Sequence, residues 1–127
     1  MNKPANAERI SDAEQAVMEA LWTRSPLTAA EVAEQVGEER GWSLATVKTL
    51  LSRLVGKNAV AARPDGRRFL YSPLIERSAF VGQESRRLLD RLFGGRAASL
   101  VAHLAEAEEL SERDLSEIET LLKELRK

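Results

Sequence analysis

The stretch SLATVKTLLSRLVGK, residues 43–57, followed by NAVAARPDGRRFLYSP, residues 58–73, decides the fold. Ser43 is a suitable N-cap, because its side-chain oxygen can accept from a free N–H of the first helical turn. Val47, Leu50, Leu51 and Leu54 recur at i, i+3, i+4 and i+7, which predicts a helix over residues 44–57 with one apolar stripe. Ala45, Thr49, Ser52 and Gly56 fall opposite that stripe, with Lys48 on one flank and Thr46 and Arg53 on the other. Two strand-like runs come next, 59–63 and 68–72, joined by the turn chemistry of Pro64, Asp65, Gly66 and Arg67. Phe69 and Tyr71 share one strand face, Leu70 takes the other, and Pro73 ends the hairpin.

Upstream, residues 1–10 read as a loose arm. Ser11 with Glu14, and Thr28 with Glu31, each have the spacing of a capping box. The first opens a helix carrying Ala13, Val17, Met18, Leu21 and Trp22, ending near Thr23 ahead of Pro26. The second opens a short helix with Val32, Ala33 and Val36 inside, predicted to close at Gly37, and residues 38–42 read as a polar connection. Downstream, a long helix over 76–93 stops at Gly94 and Gly95, and a shorter one covers 97–107. Ser111 opens a last helix striped by Leu115, Ile118, Leu121, Leu122 and Leu125. The predicted class is mainly α with a small β hairpin. The division is residues 1–75, an α/β module, and 76–127, an all-helical one.

Composition bounds what such a chain can do. It has 127 residues, 43% of them hydrophobic and 31% charged, as a folded domain with a charged surface requires. Spanning a bilayer takes about 20 apolar residues, and no such run occurs. Residues 1–9 are polar and lack a secretory core, so a cytoplasmic location is expected, with no membrane insertion. Cysteine is absent and His103 is the single histidine, which excludes disulfides, thiolate metal sites and an ordinary zinc site. There is no Gly-rich phosphate loop and no nucleophile–base pair. Glu108 and Glu109 sit in an acidic stretch that reads as a solvated face, so neither catalysis nor a cofactor is expected.

The net charge of −1 conceals an uneven distribution. Residues 40–72 hold seven basic side chains (Arg40, Lys48, Arg53, Lys57, Arg63, Arg67, Arg68) and one acid, Asp65, which is +6. Residues 99–127 hold eight acids and four bases, which is −4. The order helix, helix, helix, hairpin is that of a winged helix-turn-helix, and a basic hairpin beside a helix with short polar side chains suits DNA. Expected DNA-binding residues are Ser43, Ala45, Thr46, Lys48, Thr49, Ser52 and Arg53 in the major groove and Arg63, Arg67 and Arg68 on the backbone. A three-helix core with a hairpin also serves modules that bind only protein; such a module would tolerate loss of these cations. An activator or nucleoid-type binder would show little preference for one palindrome. The C-terminal stripe needs an apolar partner, which predicts dimerisation through Leu88, Leu92, Leu100, Leu104, Leu115, Ile118, Leu122 and Leu125.

The run from Gly41 to Leu54 resembles the corresponding segment of the penicillinase-repressor and methicillin-resistance-repressor family. So do the opening Ile10-Ser11-Asp12-Ala13-Glu14 with Val17-Met18 and Leu21-Trp22, the hairpin Gly66-Arg67-Arg68-Phe69-Leu70-Tyr71-Ser72-Pro73, and Ser99-Leu100-Val101 with Glu108-Glu109-Leu110. The likeness covers roughly residues 8–125. It implies a homodimeric winged-helix repressor, with an N-terminal DNA-binding and a C-terminal dimerisation domain, on palindromic operators with TACA/TGTA half-sites. It also implies a membrane sensor metalloprotease as partner and inactivation by a cut in the dimerisation region. The family's Asn-Phe scission point aligns with His103-Leu104, and a basic residue common early in its third helix is Ala45 here. A related branch senses copper through C-terminal cysteines, which this chain lacks.

Overall fold

The computed structural model describes residues 9–127. Its elements are α1 (Asp12–Thr23), α2 (Ala29–Arg40), α3 (Leu44–Gly56), β1 (Val60–Asp65), β2 (Arg68–Pro73), α4 (Arg77–Phe93), α5 (Ala97–Glu106) and α6 (Glu112–Leu125). The class is mainly helical with one antiparallel hairpin, as the sequence predicts. The predicted arm lies outside the described residues as far as residue 8; Ile10, read as part of it, is buried instead.

All three helices opened by a capping box have it in place. Ser11 with Glu14, Thr28 with Glu31, and Ser111 with Asp114 each exchange side-chain and backbone hydrogen bonds. Helix α2 runs past Gly37, where closure was predicted, and ends with Gly41 at φ 68°. Gly37 serves space rather than termination: a Cβ there would sit 3.3 Å from the Trp42 carbonyl as the chain turns back. The hairpin also reaches further than predicted. Asp65 pairs with Arg68, so Pro64 and Asp65 are strand residues and the loop is only Gly66 and Arg67. A glycine at positive φ, 67° here, in the first loop position is what such a tight turn needs.

The chain forms two compact units, one extending to Val81 and one from Gly82 to Lys127. In the first, α1, α2 and α3 pack on one another, and Val17, Met18, Leu21, Leu27, Val32, Val47, Leu51 and Leu54 are fully buried. The start of α4 belongs to this core. Phe80 is buried against Trp22 with ring centroids 5.4 Å apart, and the Trp22 indole N–H donates to the Ile75 carbonyl at 2.9 Å. The hairpin is tied down by a bridge from β2 to the α1–α2 loop: Leu27 and Tyr71 exchange backbone hydrogen bonds of 3.1 and 2.8 Å.

Both ends of α3 are fixed. At its start the Ser43 Oγ accepts from the Thr46 N–H at 3.1 Å. At its end the Lys57 ammonium donates to the Glu14 carboxylate and to the Arg9 carbonyl, both at 2.6 Å. The Glu14 side chain is only 3% exposed, and Lys57 17%. Burial, the largest single influence, pushes the Glu14 carboxyl up. The bonds and charge of Lys57 together with those of Ser11 outweigh it and hold Glu14 below its usual 4.5.

In the second unit, none of the described side chains is buried. The last part of α4, α5 and α6 make little contact with one another beyond the Phe93 and His103 rings, 6.1 Å apart.

Two predictions follow from the way α3 is held. Ser43→Ala is expected to cost about 1 kcal/mol in urea denaturation, with Ser43→Asp retaining most of the stability. Glu14→Gln is expected to cost about 2 kcal/mol at neutral pH, because it leaves a half-buried ammonium without its carboxylate. Folding lowers the Glu14 pKa, so its contribution is complete above 4.5 and disappears as pH falls through the folded value. Wild type and Glu14→Gln should therefore converge in acid; a gap that persists there refutes an ionic clamp.

Candidate nucleic-acid interface

The stripe that orients α3 is buried as the periodicity predicts: Val47, Leu50, Leu51 and Leu54 face the core. The opposite face is therefore solvent-facing by geometry, and Ala45, Thr46, Lys48, Thr49, Ser52, Arg53 and Gly56 are all exposed. Three residues, Gly41, Trp42 and Ser43, separate α2 from α3, a spacing typical of helix-turn-helix units. The hydroxyls on this face are partly engaged. Ser43 caps the helix and lies 3.2 Å from the Thr46 hydroxyl, and the Thr49 hydroxyl donates to the Ala45 carbonyl at 3.1 Å.

The cations divide into two groups. Lys48, Arg53, Arg63 and Arg67 are exposed and form no ion pair among the described residues. Arg68 is exposed but paired with Asp65 across the turn at 3.1 Å. Lys57, counted among the basic residues of this segment, points inward to Glu14, and the Arg40 guanidinium lies over the Trp42 ring at 5.1 Å. The free positive charge on α3 and the hairpin is thus smaller than the sequence count.

Between α3 and the hairpin runs a cleft of about 400 Å³, walled by the start of α2, by Leu44 and Lys48 of α3, and by Arg67, Arg68, Phe69 and Tyr71 of the hairpin. Leu44 and Phe69 remain 43% and 49% exposed in it. Neither is among the DNA-binding residues expected from the sequence. Their signal was weak, because an apolar residue at a helix start or on a strand face reads as core. Nearby, the Thr28 N–H, with smaller help from Arg24 and Arg68, holds the Glu31 carboxyl below 4.5.

In the second unit, Leu88, Leu92, Leu115, Leu122 and Leu125 are exposed, and Leu100, Leu104 and Ile118 half-buried. Val101 and Leu121, absent from the predicted set, are exposed beside them. His103 is exposed on α5 next to the half-buried Leu104. No helix among the described residues is long and apolar enough to cross a membrane, and no cluster of metal-ligating side chains occurs among them.

Known proteins share this arrangement. The family model for the penicillinase repressor matches residues 10–124. The chain is 34% identical over 116 residues to the penicillinase repressor of Bacillus licheniformis, covering 91% of each protein. It is 31% identical over 113 residues to the methicillin resistance regulatory protein MecI of Mammaliicoccus sciuri, covering 89% of this chain and 92% of that one. Among solved structures, the monomeric form of Bacillus licheniformis BlaI in complex with the blaP half-operator is 37% identical, with a TM-score of 0.50 over 61% of this chain and 92% of that one. With a match spanning almost every described residue, the chain belongs to the penicillinase repressor family.

Proposed function

We propose that this chain is a transcriptional repressor that acts as a homodimer on a palindromic DNA operator. The observation that carries the reading is the two-sided character of α3. One side is sealed into the core, and the other presents Thr46, Lys48, Thr49, Ser52 and Arg53 beside an arginine-rich hairpin. A helix docks in the major groove when its exposed side chains are short and cationic at the rim, and α3 meets that condition. Ala45 leaves the first turn of α3 slim enough for close approach. Arg63, Arg67 and Arg68 then lie along the phosphates, which sets the register without reading bases. The relative held on a half-operator supports DNA as the partner; half-sites of TACA/TGTA type are what the family resemblance implies.

Residues 82–127 supply the pairing surface. Leu88, Leu92, Leu115, Leu122 and Leu125, joined by Val101 and Leu121, form apolar faces that the second unit leaves uncovered. Leu100, Leu104 and Ile118 complete them from half-buried positions. Two copies joined there present two α3 helices, and two-fold protein symmetry calls for a two-fold operator. A membrane sensor metalloprotease as partner, and a cut at His103–Leu104, belong to this reading. That bond lies within α5, so cleavage requires the helix to unwind locally.

Binding should fall with salt, with a log–log slope of roughly 0.9 per phosphate contact. Thr49→Ala should narrow the gap between operator and unrelated duplex, whereas Arg67→Ala should weaken all duplexes alike, each by about 1–3 kcal/mol. If the two variants behave alike, the assignment of base readers and backbone anchors is wrong; if the wild type ignores DNA at low salt, a protein-binding module takes its place. For pairing, Leu122→Glu should raise the dimer dissociation constant roughly 100-fold in sedimentation equilibrium. A wild type that stays monomeric at micromolar concentration overturns the dimer.

A further inference from the structure

We propose that the cleft between α3 and the hairpin seats one deoxyribose–phosphate unit of the DNA backbone, with Leu44 and Phe69 packed on the sugar and Lys48 and Arg67 on the phosphate. This rests on the DNA-binding reading above and adds to it a contact that is apolar rather than ionic.

Two large apolar side chains stand exposed in one cleft, Leu44 on α3 and Phe69 on the hairpin, beside the cations Lys48, Arg67 and Arg68 and the small side chains of Ala29 and Ala30. Leu44 opens α3, and Lys48 follows it one turn later on the same side. Phe69 stands on β2 beside Tyr71, their ring centroids 6.5 Å apart. Neither Leu44 nor Phe69 belongs to the buried core of the first unit. The walls are stiff, because the Leu27–Tyr71 bridge ties β2 to the segment that opens α2, and Ser43 caps α3 at the other side. Among the described residues no acidic side chain lines the cleft, while Lys48, Arg67 and Arg68 all do.

The occupant must therefore be anionic and carry an apolar edge. A nucleotide backbone meets both requirements, with a phosphate at each end of a sugar whose C–H edge is apolar. With α3 in the major groove and the hairpin flanking it, a backbone strand has to pass between the two elements. The cleft is where it passes. Leu44 and Phe69 then contribute by losing water against the sugar, and this contribution releases no counterions. It is also blind to sequence, since every nucleotide offers the same sugar.

The test is the affinity of the full chain for an operator duplex and for an unrelated duplex across a salt series. Leu44→Ala and Phe69→Ala are each expected to weaken both duplexes about five- to tenfold at every salt concentration, with the salt slope unchanged. Phe69→Leu should restore most of the loss. Arg67→Gln should instead lower the slope by about one. Both apolar residues are exposed, so unfolding midpoints should match the wild type within error, and that control accompanies each variant. Wild-type affinity in both alanine variants overturns the proposal. So does a loss confined to the operator, which makes the side chains base readers, or a loss accompanied by a changed slope, which makes them act through the cations. A wild type that binds no duplex removes the DNA reading itself, and this inference with it.

Discussion

The burial of Val47, Leu50, Leu51 and Leu54 is the constraint on which the first unit depends. These four side chains lock α3 against α1 and α2 and so fix which of its faces meets solvent. Each is worth about 1.5–3 kcal/mol when fully buried. A whole domain is stable by only about 5–15 kcal/mol, so one polar replacement in the stripe removes much of the margin. The solvent-facing surface of α3 is therefore a by-product of packing. Its residues are free to be chosen for what they touch outside, because the other side already does the holding.

Rotation about the helix axis is set by that stripe, but translation and tilt need end restraints. Ser43 supplies one by capping the first turn, and Lys57 supplies the other by bridging Glu14 and Arg9. Glu14 is thereby used twice. It closes the capping box of α1 and anchors the end of α3, so the two helices share one carboxylate. The hairpin is positioned by a backbone rather than a side-chain device, the Leu27–Tyr71 bridge. Together these contacts turn three short helices and a ribbon into a surface whose parts keep a set spacing.

Much of this was legible in the residues. Capping boxes are local, spanning four residues; the two read from the sequence formed, and Ser111 with Asp114 makes a third where a helix start was read. The stripe of α3 was equally plain, because a period of 3.6 leaves few alternatives over two turns. What failed was non-local. Gly37 resembles a helix terminator, yet its role depends on where Trp42 returns in space. Lys57 resembles one more surface base, yet its partner lies 43 residues away in sequence. Asp65 carries turn propensity, but pairing with Arg68 extended the ladder and left only Gly66 and Arg67 in the loop. Leu44 and Phe69 carry no pattern that marks a cleft, because the residues that line it come together from three separate elements.

The second unit follows a different rule. Its helices have clear apolar faces. Helix α6 has a full capping box, whereas α5 starts at Arg96 with no side-chain cap, and none of the side chains from Gly82 to Lys127 is sequestered from water. Leu125 is 80% exposed, and Leu121 61%. Helices of this length gain most of their stability from packing, and short isolated ones are marginal in water. Whatever covers these faces therefore enters their folding equilibrium as a reactant. If a second copy covers them, as proposed above, dilution acts as a denaturant for this unit, and a melting temperature has meaning only when a concentration is quoted beside it.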